Sequence, residues 1–197
     1  MTNTQTDIPD WIRLNNETVD ENLELKDIDK DKEATRAYFT QYVNKNTQYF
    51  GNLDERIRYM VKDNNYWEDG FLDQYTREEI QAVFDLTYSY KFRFPSFIGA
   101  YKFYNDYSLR TNDRKTFLER YEDRLAITAL YHSDGDVEKA KRIAVSLINQ
   151  DFTPATPTLL NSGRAKRGEL VSCFLMSVND SLNSISRANE FSMQLSK

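Results

Sequence analysis

The scarcity of helix breakers constrains this chain more than any other feature. Its 197 residues include only 6 Gly and 4 Pro. That leaves long uninterrupted segments and favours helix, because Gly costs backbone entropy and Pro removes an N–H donor. From Asp31 the apolar residues also recur at helical spacing. In DKEATRAYFTQYVNKN, Ala34, Tyr38 and Tyr42 step by four, with Phe39 and Val43 beside them. In NLDERIRYMVKDN, Leu53, Ile57, Met60 and Val61 share one face. TREEIQAVFDLTYSY opens with Thr76 and carries Glu79 at the capping-box spacing, where side chain and backbone satisfy each other's orphan N–H groups. RKTFLERYEDRLAITALYH and DVEKAKRIAVSLINQ predict further amphipathic helices. The short turn HSDGD between them predicts an antiparallel pair.

Residues 1–30 are polar and read as irregular, apart from an apolar touch at Trp11, Ile12 and Leu14. The pattern changes again after Gln150. DFTPATPTLLNSG, with Pro154, Pro157 and a closing Ser-Gly, reads as a loop. ELVSCFLMSV is an apolar run of strand length, and the unbroken apolar positions from Cys173 to Met176 predict a strand covered on both faces. NDSL supplies cap residues, and helical spacing resumes through Leu182, Ile185, Ala188 and Leu195. The expected fold is therefore mainly α. An irregular segment spans 1–30 and a helical domain spans 31–150. Over 151–197 comes the loop–strand–helix that opens an α/β sheet or barrel. A lone strand forms no sheet, so its neighbours are expected in another chain or in a further part of this one.

A net charge of −5 gives no overall basic field to draw the chain onto nucleic acid or an anionic membrane. The longest apolar runs fall far short of the ~20 residues a membrane span needs. The N-terminus, MTNTQTDIPDWIRLNNE, has neither the basic region nor the apolar stretch of a secretory signal. Its single Cys cannot form an internal disulfide, and its single His, His132, cannot anchor a His/Cys metal site. These features predict a cytoplasmic protein with a reduced thiol. YKFRFPSFIGAYKFYNDY interleaves Lys and Arg with Phe and Tyr. Such a pattern can mark a platform for single-stranded nucleic acid. It also fits aromatics facing a core with basic side chains snorkelling outward, the reading preferred for an acidic chain.

TPATPTLLNSGRAKRGELVSCFLMSVNDSLNSISRANEFSMQLSK resembles the opening of the catalytic barrel in the large subunit of ribonucleotide reductase. KFRFPSFIGAYKFYNDYSLRTNDRKTFLERYEDRLAI is similar to the helical region before that barrel. The short N-terminus, IPDWIRLNNE, resembles the class Ib branch, which lacks the full ATP cone. The family's chain is several times longer and continues into a ten-stranded α/β barrel, so the resemblance is to its N-terminal part. It implies reduction of ribonucleoside diphosphates to deoxyribonucleoside diphosphates. It also implies a radical-generating small subunit with a dimetal (Mn or Fe) tyrosyl-radical centre. A second large subunit, a glutaredoxin- or thioredoxin-like dithiol reductant, and deoxynucleotide or ATP effectors complete the implied set. No metal or cofactor is expected on this chain, and neither a nucleic acid nor a membrane is an expected partner. The radical cysteine and the partner of the reducible pair are expected outside these residues, so the chain alone is expected to be inactive.

The same resemblance assigns the site. Cys173 matches a reducible barrel cysteine that delivers reducing equivalents to C2′ of the ribose. From the pattern alone it also reads as an inert buried thiol. Thr156 and Ser172 match residues that line the substrate site, although Thr and Ser commonly bond their own backbone in such turns. Asp180 reads as a helix cap and matches a specificity-effector residue. Arg164, Lys166 and Arg167 are assigned to a solvated loop rather than to the site. The alternative to a reductase is a non-catalytic fragment or interaction module.

Overall fold

The computed structural model describes residues 8–196, so the first seven residues of the segment read as irregular, and Lys197, lie outside it. Helices α1 (Asp10–Asn16), α2 (Ile28–Tyr38), α3 (Leu53–Ile57), α4 (Arg77–Ser89) and α5 (Phe97–Lys102) come first. They are followed by α6 (Tyr121–Tyr131), α7 (Val137–Ile148), α8 (Thr156–Asn161) and α9 (Leu182–Leu195). Three of them, α2, α3 and α5, run on into single π turns at Phe39–Val43, Arg58–Asp63 and Phe103–Tyr107. The starts are set by side-chain caps. Asp27, Asn52, Ser96 and Asp136 each accept a backbone N–H from the first turn. Thr76 and Glu79 form the reciprocal box expected from their spacing. Each cap contributes about 1 kcal/mol.

Two segments read as irregular or loop are helical. Within residues 1–30, α1 forms because Trp11 can pack its ring on Tyr38 and Tyr42, with centroids 5.8 and 5.6 Å away. In the proline-bearing stretch, α8 forms because Pro157 sits in the first turn, where a missing N–H leaves no helical bond unmade.

Apolar burial divides into connected clusters. Met60, Trp67, Phe71, Ile80, Val83 and Ile127 belong to the largest, among α3, α4, α6 and α7. Ala34, Tyr38, Phe97, Phe103, Tyr104 and Phe117 form an aromatic second cluster between α2 and α5. Leu125, Leu147, Ile148 and Leu159 join α6, α7 and α8 in a third. The basic–aromatic stretch thus sends Phe97, Phe103 and Tyr104 inward and leaves Lys91 and Lys102 exposed.

Helix α6 was expected to be amphipathic and to begin near Arg114. It begins at Tyr121, and every residue from Asp123 to Leu130 is buried. The preceding segment is held open by non-local backbone bonds. Phe117 N donates to Asn46 O at 2.7 Å and Leu118 N to Leu109 O at 2.8 Å. Those bonds swing Glu119 into the interior, where its side chain is fully buried.

Glu119 is the centre of the buried polar network. Its carboxylate accepts from the Trp67 indole N–H at 2.8 Å and from the Arg124 guanidinium at 3.2 Å. It also pairs with Arg164 at 3.4 Å. Burial alone would raise the carboxyl's pKa. Arg124 and Arg164 first, then the Trp67 and Leu109 N–H groups, outweigh burial and hold it below its ordinary value. Arg164 was expected in a solvated loop. It is only 11% exposed, held inward by its pair with Glu119 and by its bond to Tyr107 O. Lys166 and Arg167 do lie at the surface.

The covered strand expected over ELVSCFLMSV does not form, and no β-strand occurs among the described residues. A strand is defined by its ladder, and these residues have no backbone partner within the described structure. Val171, Phe174, Leu175, Met176 and Val178 are exposed instead. Helix α9 likewise buries none of its residues, so its stripe through Leu182, Ile185 and Leu195 faces outward.

Replacing Glu119 by Gln should destabilise the fold by roughly 3–5 kcal/mol, because buried guanidiniums lose their counter-charge. Urea unfolding at neutral pH measures this. A depressed folded-state pKa means the unfolded chain binds the proton more readily. The Glu119 contribution is therefore complete above its unfolded value, near 4.5, and is lost as pH falls through the lower folded value. The unfolding midpoint should drop on acidification below about pH 5, and less steeply in Glu119→Gln.

Candidate functional site

Thr156 is the first residue of α8 and is exposed. Its Oγ1 lies 3.0 Å from the Tyr107 hydroxyl oxygen. Helix α8 also holds the start of the next segment. Thr158 Oγ1 donates to Leu170 O at 3.1 Å and Asn161 Nδ2 donates to Glu169 O at 2.9 Å. Ser172 and Cys173 follow directly, both exposed, and Cys173 is a free thiol. The expectation that Cys173 lies inside a covered strand is corrected, for the reason given above. Asp180 is exposed one residue before the α9 cap. That cap is Ser181, whose side chain accepts from Ser184 N, so Asp180 is not the capping residue. Thr156 and the Ser172–Cys173 pair are thus tied through α8, with no direct hydrogen bond to each other among the described residues.

The end of α8 opposite Thr156 is anchored from beneath. The guanidinium of Arg124 donates to Ser162 O, and the Ser162 hydroxyl donates to Thr158 O at 2.5 Å. Because that hydroxyl has one proton, the contact of His132 Nε2 with Ser162 Oγ at 2.8 Å must have His132 as donor. Burial holds the His132 pKa below its ordinary value, against the pull of Asp134. Gly163 follows at φ +67°, and a Cβ there would come within 2.8 Å of Ile127 Cγ2. Only glycine lets the loop press onto α6 at that point. Ser162, buried and bonded on both sides, looks like an interchangeable turn residue in the sequence.

A cleft also forms that the sequence did not reveal, although its Phe92, Arg93 and Phe94 belong to the basic–aromatic stretch. This cleft of about 420 Å³ opens between α2 and the loop before α5. Lys32, Arg36, Arg93 and Arg120 supply positive charge, and Glu122 is the carboxylate among them. Phe39, Phe92, Phe94 and Tyr121 form the apolar wall, with Phe92 and Tyr121 ring centroids 4.4 Å apart. Arg120 is fixed by Asn44 Oδ1 at 3.3 Å and the Tyr49 hydroxyl at 3.4 Å. Burial raises the pKa of Glu122, against the opposing effect of Arg120 and Arg93. Cations beside packed aromatic rings suit a ligand that is both anionic and flat. The signal was hidden because Arg36, Arg93 and Arg120 lie far apart in sequence. Among the described residues no three His, Cys, Asp or Glu side chains cluster to hold a metal, and no helix is long and apolar enough to cross a membrane.

Residues 11–92 match the family described as ribonucleotide reductase N-terminal, and residues 93–167 match the ribonucleotide reductase all-alpha domain. The ribonucleoside-diphosphate reductase subunit alpha of Bacillus subtilis is 56% identical over 193 residues, which is 98% of this chain and 27% of that protein. A subunit alpha from Bacillus phage SPbeta is 55% identical over 197 residues, covering 100% of this chain and 18% of that one. The subunit alpha of Mycoplasma pneumoniae is 40% identical over 195 residues, 99% of this chain and 26% of the relative. The chain therefore spans about a quarter or less of these relatives' length. Adjoining domain matches and alignment along nearly every residue lead to one conclusion: this chain belongs to the ribonucleotide reductase family and corresponds to the N-terminal region of its large, alpha subunit.

Proposed function

We propose that the chain serves a class Ib ribonucleoside-diphosphate reductase, with residues 151–197 forming the opening of its catalytic barrel. The observation that carries this reading is the run from Thr156 through Cys173 to Asp180, set in a chain 56% identical to a reductase alpha subunit. In this reading Thr156 and Ser172 contact the ribonucleoside diphosphate. Cys173 gives a proton to the departing 2′ hydroxyl, which leaves as water. Cys173 and a second cysteine outside these residues then supply two electrons and end as a disulfide. An external dithiol, of glutaredoxin or thioredoxin type, resets the pair. The initiating radical comes from a small subunit that carries the dimetal centre. The exposed apolar run around Cys173 supports the reading, since it offers a face for further barrel strands.

Asp180 is assigned to the specificity effector, and the unburied face of α9 to the contact with a second large subunit. A second reading concerns the cleft lined by Arg36 and Arg120. Its cations and aromatic wall suit a nucleotide.

In the assembled enzyme, Cys173→Ser should abolish deoxynucleotide formation with dithiol reductants while leaving the fold intact. Peptide mapping after one turnover without reductant should show the Cys173 peptide oxidised. A free thiol alongside formed product sinks the assignment. Asp180→Ala should weaken specificity-effector binding and blunt control of substrate choice, as equilibrium binding and mixed-substrate assays would reveal. For the cleft, calorimetry of the isolated chain should detect binding of ATP or dATP. Arg120→Ala should weaken it about tenfold, in line with loss of a charge-assisted hydrogen bond. Equal binding by wild type and variant would exclude the cleft.

A further inference from the structure

Tyr107 has no part in the chemistry above, yet its hydroxyl meets Thr156 Oγ1 at 3.0 Å. The two residues come from distant parts of the chain, the end of the π turn after α5 and the start of α8. Tyr107 is held at two points. Its half-buried ring packs against both the second and the third apolar clusters. Its backbone carbonyl accepts from the Arg164 guanidinium, the same group that pairs with buried Glu119. The hydroxyl's position is therefore set by the core. Thr156 is the opposite case: it is exposed, and α8 has no side-chain cap for the Thr156 hydroxyl to serve.

We infer that Tyr107 is a positioning residue for the substrate diphosphate, acting through the Thr156 hydroxyl. The inference rests on the reading of Thr156 as a diphosphate contact. An ionised phosphate oxygen only accepts, and a threonine hydroxyl has one proton with two acceptor positions. When Thr156 donates to the phosphate, its contact with Tyr107 has only one possible direction, with the phenol O–H donating to Oγ1. That donation polarises the Thr156 O–H and strengthens the bond it makes to the anion. It also removes the rotational freedom of an exposed hydroxyl before substrate arrives. Phenylalanine at 107 would keep the ring packing and lose only the donor.

The test uses the assembled reductase with its radical-generating subunit and dithiol reductant. Tyr107→Phe is expected to raise KM for the ribonucleoside diphosphate about tenfold, with kcat within about twofold and an unchanged thermal midpoint. Thr156→Val should raise KM at least as much, and the double variant should be no worse than Thr156→Val alone, since both act through one hydroxyl. Thr156→Ser keeps the hydroxyl, so Tyr107→Phe should still raise KM in that background. If Thr156→Val leaves KM unchanged, the diphosphate reading of Thr156 itself falls. If Thr156→Val raises KM and Tyr107→Phe does not, the role of Tyr107 alone is overturned. Effects that multiply in the double variant overturn it too, as does a lower thermal midpoint in Tyr107→Phe with kcat and KM both altered, which would make Tyr107 a structural clamp.

Discussion

The fold depends on one buried carboxylate. Glu119 accepts from Trp67 and Arg124 and pairs with Arg164, so a single side chain links segments far apart in sequence. Replacing such a group with a well-packed apolar set can be neutral, whereas removing one partner leaves a charge stranded. Its value here is geometric. The Arg124 guanidinium that answers Glu119 also donates to Ser162 O, and Arg164 also donates to Tyr107 O. The backbone of 66–68 joins the same node, with Glu68 N donating to Gly163 O at 2.9 Å and Ala165 N to Tyr66 O at 3.0 Å.

This node sets the position of α8. The loop after α8 is pinned to α6 by Arg124 and by the Ser162–His132 contact, and the close approach at Gly163 excludes a side chain. Helix α8 then holds Thr156 beside Tyr107 and, through Thr158 and Asn161, fixes where the Cys173 segment departs. The apolar clusters supply most of the stability, but hydrophobic contact is non-directional. The charged network gives the loop one defined place.

Beyond Leu170 the character changes. Val171, Phe174, Leu175, Met176 and Val178 are apolar yet exposed, and α9 is amphipathic yet unburied. Contiguous apolar surface of this kind marks a contact face, and unpaired extended segments are prone to aggregate. Under the proposed function this run carries the redox thiol, and the effector aspartate, Asp180, lies between it and α9. Their chemistry then depends on surfaces that complete the barrel and the subunit contact.

Local physics was legible in the residues themselves. The Thr76–Glu79 box, the helical faces through Ala34, Tyr38, Leu53 and Ile57, and the α6–turn–α7 order follow from spacing and capping, which act within a few residues. The run from Thr153 to Asp180 carried the most specific part of the family resemblance for the same reason: it is contiguous. What spacing could not supply was anything made by contact at long range. Arg164 looked solvated until Glu119 was brought to it. Ser162 looked replaceable until His132 and Arg124 closed on it. Arg36 and Arg120 face one cleft only because α2 packs near the start of α6. The covered strand was misread in the reverse sense. ELVSCFLMSV has the composition of a strand, but a strand exists only with a partner's backbone. Composition and periodicity fix what a segment can become, and tertiary contacts decide which donors, charges and neighbours it meets.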